Sequence, residues 1–228
     1  NLADVVFPTN QDVIRTTSGN DLPWPNMNDS GNKGAIIAEE TSISTSVDPT
    51  FGVLTLKAFK YHSKPILVSN ELLEDSAFDL GGQIGGWLGE RIGRIQNDHF
   101  SVGTGTTLPK GISIAGTAGK TATATNTFTD VEVIDLQHSL DPAYRPNAIF
   151  MMHDTVLAAV RKLKDTSTGQ YLWQPGLQGG APDRLLGHPY VINQSLASAF
   201  TTAQKLMYFG DFSKYKIRDV NTVRMIRL

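Results

Sequence analysis

Hydrophobic positions along this chain change their period several times, and each change marks an element. Leu80, Ile84, Trp87, Leu88, Ile92 and Ile95 recur at steps of three and four, with His99 and Phe100 closing the series. That spacing puts one apolar stripe on one face of an α-helix. Ser76 and Asp79 stand at capping-box spacing, and Gly103 and Gly105 are stop signals, so the helix is predicted over about Ala77 to Ser101. Glu90 and Arg94 form an i,i+4 pair on its solvent side. A second amphipathic helix is predicted from Asp130 to Ser139, through Val131, Ile134 and Leu136. A third is predicted from Val156 to Leu163, capped by Asp154.

Elsewhere the period is two, or the apolar run is short and continuous. Asp12 to Thr16 alternates briefly. Phe51 to Ser69 is the strongest strand region, with Lys57, Lys60 and Lys64 turned outward, and should form the bed for the long helix's stripe. Ala148–Met152, Leu185–Asn193 (broken at Gly187-His188-Pro189), Leu206–Gly210, Tyr215–Arg218 and Val223–Leu228 are further predicted strands. The second half thus alternates short helices and strands, an α+β class. Between Gly19 and Pro49 the turn-rich tip Asn28–Gly34 separates two arms, and the pattern predicts a long hairpin. It has too few large apolar residues for a core and needs another surface, such as a neighbouring subunit.

The long helix carries an anomaly. Gly81, Gly85, Gly89 and Gly93 recur every fourth residue, with Gly82 and Gly86 beside them. Each costs about 1 kcal/mol relative to alanine, so a closely packed neighbour is expected along the row at Gly85 and Gly89. A membrane reading fails, because Asp79, Glu90, Arg91, Arg94 and Asp98 interrupt the run.

Composition sharpens this picture. Only 18% of the 228 residues are charged and 21 are glycine, which favours burial against partners over a free monomer. The length suits one large domain or two small ones. A net charge of −2 argues against a generally basic nucleic-acid binder. The absence of cysteine excludes disulfides and thiolate metal sites. No signal peptide or membrane span is visible, and the opening NLADVVFPTN reads as the interior of a longer chain.

The chemistry-bearing residues do not assemble into a catalytic pattern. GTGTTLPKG (Gly103–Gly111) has the wrong spacing for a phosphate loop and reads as a turn after a helix. Glu39 and Glu40 are adjacent, so on a strand they point to opposite faces and cannot share a substrate. His62, His99, His138, His153 and His188 include no i,i+4 metal pair. His99 reads as a core or interface histidine, and at His153-Asp154 the aspartate should be the cap. No GxSxG elbow is present. The acidic Glu71, Glu74, Asp75 and Asp79 suit helix starts, and RKLK at 161–164 suits a solvated helix end. No catalytic centre, cofactor or metal site is expected.

Six segments in order carry a resemblance. These are AEE (38–40), VSNELLEDS (68–76), NDHFSVGTGTTLPKGI (97–112), LKDTSTGQYLW (163–173), LLGHPYVIN (185–193) and FGDFSKYKIRD (209–219). Together they resemble the major capsid proteins of tailed double-stranded DNA bacteriophages, whose fold is named for the Hong Kong ninety-seven phage. The resemblance implies an N-terminal segment at 1–18, an extended loop at 19–50 reaching over a neighbour, a peripheral domain with the spine helix at 51–126, and an axial domain with a return toward the peripheral domain at 127–228. It implies self-assembly into hexamers and pentamers of an icosahedral head in the virion, formed in the host bacterial cytoplasm and enclosing DNA held non-specifically. Scaffold, protease, portal and decoration proteins are the further partners it implies. Intersubunit contacts are expected at Trp24, Asn28, Lys33, Glu39, Glu40, Gly85 and Gly89. Some members crosslink through a lysine of the extended loop. The aligned Ile43-Ser44 has none, and Lys33 is the loop's one lysine, so no crosslink is expected. Both ends of the family's chain, an N-terminal arm and a final peripheral strand, are expected to lie beyond this sequence. Two rival readings are an encapsulin shell, which shares the fold and would enclose protein cargo, and a soluble α+β enzyme, which would be a monomer or dimer with a pocket.

Overall fold

The computed structural model describes residues 12–27, 32–34, 36, 39, 48, 50–69, 71–72, 79–124, 126–164, 169–171 and 184–220. Two compact units emerge. One holds Phe59–Lys216; the other holds Val13–Ala58 and the described residues from Ile217 onward.

The smaller unit is built from two ribbons. β1 (Asp12–Thr16) pairs with β8 (Lys216–Val220). β2 (Leu22–Met27) pairs antiparallel with β3 (Phe51–Leu56), from Leu22 opposite Leu56 to Met27 opposite Phe51. The first arm of the expected hairpin pairs with Phe51–Leu56; the expected second arm at 35–46 lies almost entirely outside the described residues. Arg218 ties the unit together. Its guanidinium donates to Thr16 Oγ1 at 3.1 Å, Leu56 O at 2.8 Å and Ser18 O at 2.6 Å. The expected strand over Phe51 to Ser69 stops at Leu56. Lys64 sits in the left-handed region at φ 62, directly before Pro65, which has no N–H to give to a ladder.

The larger unit opens with α1 (Leu80–Val102), unbroken through Gly85 and Gly86. Asp79 is its cap, accepting from Gly82 N at 3.0 Å, so the helix starts one turn later than Ser76 predicts; Ser76 lies outside the described residues. Gly103 closes it, donating to His99 O at 2.8 Å. The Glu90–Arg94 pair forms at 3.1 Å. The expected burial is different: Gly93, Asn97 and Ser101 are the buried residues of α1. Ile84, Leu88 and Ile92 are half-buried, and Trp87 remains 55% exposed.

A short α2 (Ile112–Ala115) follows, then α3 (Asp130–His138). Thr129 and Glu132 form a complete capping box at the start of α3. Its inward residue is Val133; Val131 and Ile134, expected to face the core, are exposed. β4 (Ile149–Met152) is the buried centre of a four-stranded sheet of order β5-β6-β4-β7. It runs parallel to β6 (His188–Ile192) and antiparallel to β7 (Met207–Gly210). Strand alternation sends Phe150 and Met152 into one cluster with Val133, Val156, Leu157, Val160 and Leu185. Met151 goes to the opposite face, with Ile112, Leu196, Tyr208 and Phe212.

α4 (Asp154–Arg161) begins at the end of β4, and its cap is His153, not Asp154. The backbone of His153 is extended (φ −74, ψ 153), which leaves its ring Nδ1 to accept from Thr155 N at 3.1 Å. Asp154 becomes the first helical residue, where its charge still suits the helix dipole. β5 (Arg184–Leu185) joins β6 through Leu186 and Gly187, both at positive φ (48 and 82), as a tight primed hairpin turn requires. The break therefore falls at 186–187, and His188 and Pro189 belong to β6. The predicted strand at Val223–Leu228 lies outside the described residues.

Candidate assembly interface

The β2–β3 ribbon presents two different faces. Register and alternation place Pro23, Pro25, Met27, Phe51 and Val53 on one side. All five are exposed, and Met27, Phe51 and Val53 show 52%, 68% and 72% of their surface. The other side carries Leu22, Trp24 and Leu56, all half-buried, and Leu54. Trp24 stands opposite Leu54. Contiguous exposed apolar side chains make this ribbon a candidate contact surface. Of the other residues expected at an interface, Lys33 and Glu39 are exposed, and Asn28 and Glu40 lie outside the described residues.

Along α1 the row Gly85, Gly89, Gly93, Asn97, Ser101 keeps a spacing of four. Gly93, Asn97 and Ser101 are buried; Gly85 is half-buried; Gly89 is exposed. A Cβ at Gly89 or Gly86 would meet no atom within 4 Å. Among the described residues nothing packs on these two glycines.

The buried end of the row explains itself through a polar join that the sequence pattern does not reveal. Asn97 Nδ2 donates to Asn193 Oδ1 at 3.0 Å and to Ser195 Oγ at 2.7 Å. Asn193 Nδ2 donates to Ser101 Oγ at 2.8 Å, while its Oδ1 also accepts from Ser195 N at 3.0 Å. Ser195 Oγ donates to Asp98. Asn193 N donates to Met152 O at 2.9 Å, so the same residue fastens the helix to the central strand. Asn193 and Ser101 have no exposed surface. The one signal that could have found them is that a helix face of Gly93, Asn97 and Ser101 is too small and polar for an apolar neighbour.

The titratable groups serve structural ends. His99 Nδ1 lies 3.0 Å from Tyr61 Oη. Burial pushes the Tyr61 and Tyr208 phenols up to about 12. Burial also raises Tyr215, whose hydroxyl donates to Lys110 O at 2.8 Å. The Gly103–Gly111 segment closes on itself as a turn, with Gly111 N donating to Gly103 O at 2.8 Å. His188 sits edge-on to Phe150 and Phe209. Among the described residues no three His, Asp or Glu side chains are grouped to hold a metal ion, and no helix is long and apolar enough to cross a membrane.

Known proteins place this architecture. The family model described as "Phage capsid family" matches residues 11–228. The structure is similar to a capsid chain of a native GTA particle computed with C5 symmetry, at 26% identity and TM-score 0.80, covering 100% of this chain and 80% of that one. It is also similar to a chain of Microbacterium phage Oxtober96 (16% identity, TM-score 0.65, 93% and 72% covered). A chain of Mycobacterium phage Adephagia matches at 13% identity and TM-score 0.60, with 91% and 68% covered. No curated protein matches the chain. The chain belongs to the phage capsid family and is a structural capsid protein with an α+β capsid-type fold.

Proposed function

We propose that this subunit forms the hexamers and pentamers of an icosahedral head enclosing double-stranded DNA, in the architecture named for the Hong Kong ninety-seven phage. The observation that carries this is the likeness of the whole of this sequence to 80% of a capsid chain from a particle computed with C5 symmetry. Fivefold particles are what pentamer-bearing shells produce. Residues 19–50 act as the extended loop, 51–126 with α1 as the peripheral domain and spine, and 127–228 as the axial domain with its return, after the segment at 1–18. The exposed apolar face of the β2–β3 ribbon supports a role in reaching a neighbour. Trp24, Asn28, Lys33, Glu39, Glu40, Gly85 and Gly89 are the contact residues proposed. The head assembles in the bacterial cytoplasm with scaffold, protease, portal and decoration proteins, and no enzymatic step or subunit crosslink is required. Electron microscopy of the expressed protein tests this. Closed shells with five- and sixfold capsomers are expected. A species that stays monomeric at every concentration would overturn it, and shells filled with protein cargo instead of DNA would redirect it to an encapsulin.

A further inference from the structure

The segment 116–124 (GTAGKTATA) forms one wall of a groove of about 880 Å³, whose other walls carry Ile112, Phe128, Val133, Leu136, Phe200 and Leu206. Every residue of the segment is exposed, and none joins either hydrophobic cluster. Polar contacts fasten it at several points. Lys205 Nζ donates to Ser113 O at 2.6 Å and to Gly116 O at 3.0 Å, holding the near end. Lys120 Nζ meets Asp135 Oδ2 at 2.6 Å. Thr123 N donates to Glu132 Oε1 at 2.6 Å, and the other oxygen of Glu132 accepts from Thr129 N at 2.9 Å. Between these points Gly119 lies against α3, where a Cβ would come within 3.3 Å of Leu136 Cδ1 and closer still to Ser139.

We propose that 116–124 is a flap that opens and closes as one unit over the apolar wall of α3 while the sheet stays folded, and that Glu132 is its latch. A segment with no buried side chain and only solvent-exposed hydrogen bonds opens far more readily than a core strand. The Lys120–Asp135 pair is exposed and holds weakly. Glu132 is different. The capping box of α3 already fixes its carboxylate, so accepting from Thr123 orders little more. One side chain thus joins the start of the helix to the far end of the flap. Opening uncovers Leu136.

Trypsin cleavage after Lys120 and hydrogen exchange at Thr123 test this on the full chain. In the wild type the Thr123 amide exchanges well before those of Met151 and Met152. Glu132→Ala speeds cleavage at Lys120 by about tenfold, the loss expected for a hydrogen bond to a charged group. Glu132→Gln, which keeps an acceptor oxygen, falls between. Thr129→Ala removes only the capping hydroxyl and leaves Lys120 cleavage nearly unchanged. Unchanged cleavage in Glu132→Ala overturns the latch. Equal acceleration in Thr129→Ala overturns it too, because helix fraying then accounts for both. Should Glu132→Ala not fold, Glu132→Gln against Thr129→Ala draws the same distinction.

Discussion

Asn193 has no contact with solvent, and its side-chain amide is committed at both ends to groups on α1 and on the following loop. Truncating it to alanine takes the acceptor from the Ser195 N–H and from one of the two Asn97 amide bonds, and takes the donor from the fully buried Ser101 hydroxyl oxygen. Leaving buried polar groups without partners costs about 1–3 kcal/mol apiece before relaxation, so Asn193→Ala should lower stability by about 3 kcal/mol in urea unfolding. A loss under about 1 kcal/mol would mean that water enters and replaces the amide. Tyr61 and Tyr208 give a second expectation. Burial disfavours their phenolates, and the folded values near 12 lie above the ordinary 10.0. The folded state therefore keeps protons that the unfolded chain releases. Their contribution is intact below pH 10 and is lost as pH rises toward 12, so urea midpoints measured at rising alkaline pH should fall through that window. A flat profile there would show that the rings are wetter than their packing indicates. Neither feature is legible in the sequence: the α1 partners of Asn193, for instance, are 92 and 96 positions away and no local pattern joins them. His153 shows the same limit over a shorter range: its ring accepts the hydrogen bond that residue preference assigns to Asp154.

The body and end of α1 are readable because its period and Gly103 agree, while its start, read from Ser76, falls one turn later at the Asp79 cap. Its burial is not, because periodicity reports where apolar residues lie and not which face finds a partner. The chain buries the small polar end of the row and leaves Trp87 outside. The ribbon escapes the sequence for a related reason. Local alternation does not reveal that Leu22–Met27 pairs with Phe51–Leu56, and it overlooks Arg218, far away in sequence, which holds the ends. The open glycines yield a direct test within the element. A methyl group at Gly89 meets nothing among the described residues, so Gly89→Ala in the unassembled subunit should raise stability by up to about 1 kcal/mol, through helix propensity alone. Thermal unfolding of the subunit measures it. A destabilised Gly89→Ala subunit would mean that the chain itself packs there.

Folding and assembly make different demands on the same surfaces, and the difference can be measured. A subunit in isolation leaves Phe51, Val53 and Met27 in water and Gly89 uncovered. In a shell, the proposed function has neighbouring subunits covering both. Amides of the β2–β3 ribbon should then exchange quickly in the free subunit, where the two-stranded ladder has little core, and slowly in the particle. Equal protection in both states would remove the intersubunit role of the ribbon. Gly89→Leu separates the demands more sharply. Open space at Gly89 lets the isolated chain accommodate leucine, so its unfolding temperature should stay close to that of the wild type. If a neighbour's backbone approaches along the row, the added side chain overpacks the contact by about 1–3 kcal/mol per interface. Repeated at every interface of a closed shell, that penalty should abolish particles while the subunit remains folded. Particle yield by electron microscopy, set beside thermal unfolding of the same preparation, reads both halves. Normal particles at normal yield would place Gly89 on a solvent-facing surface. The glycine row would then owe its spacing to something other than a neighbouring subunit.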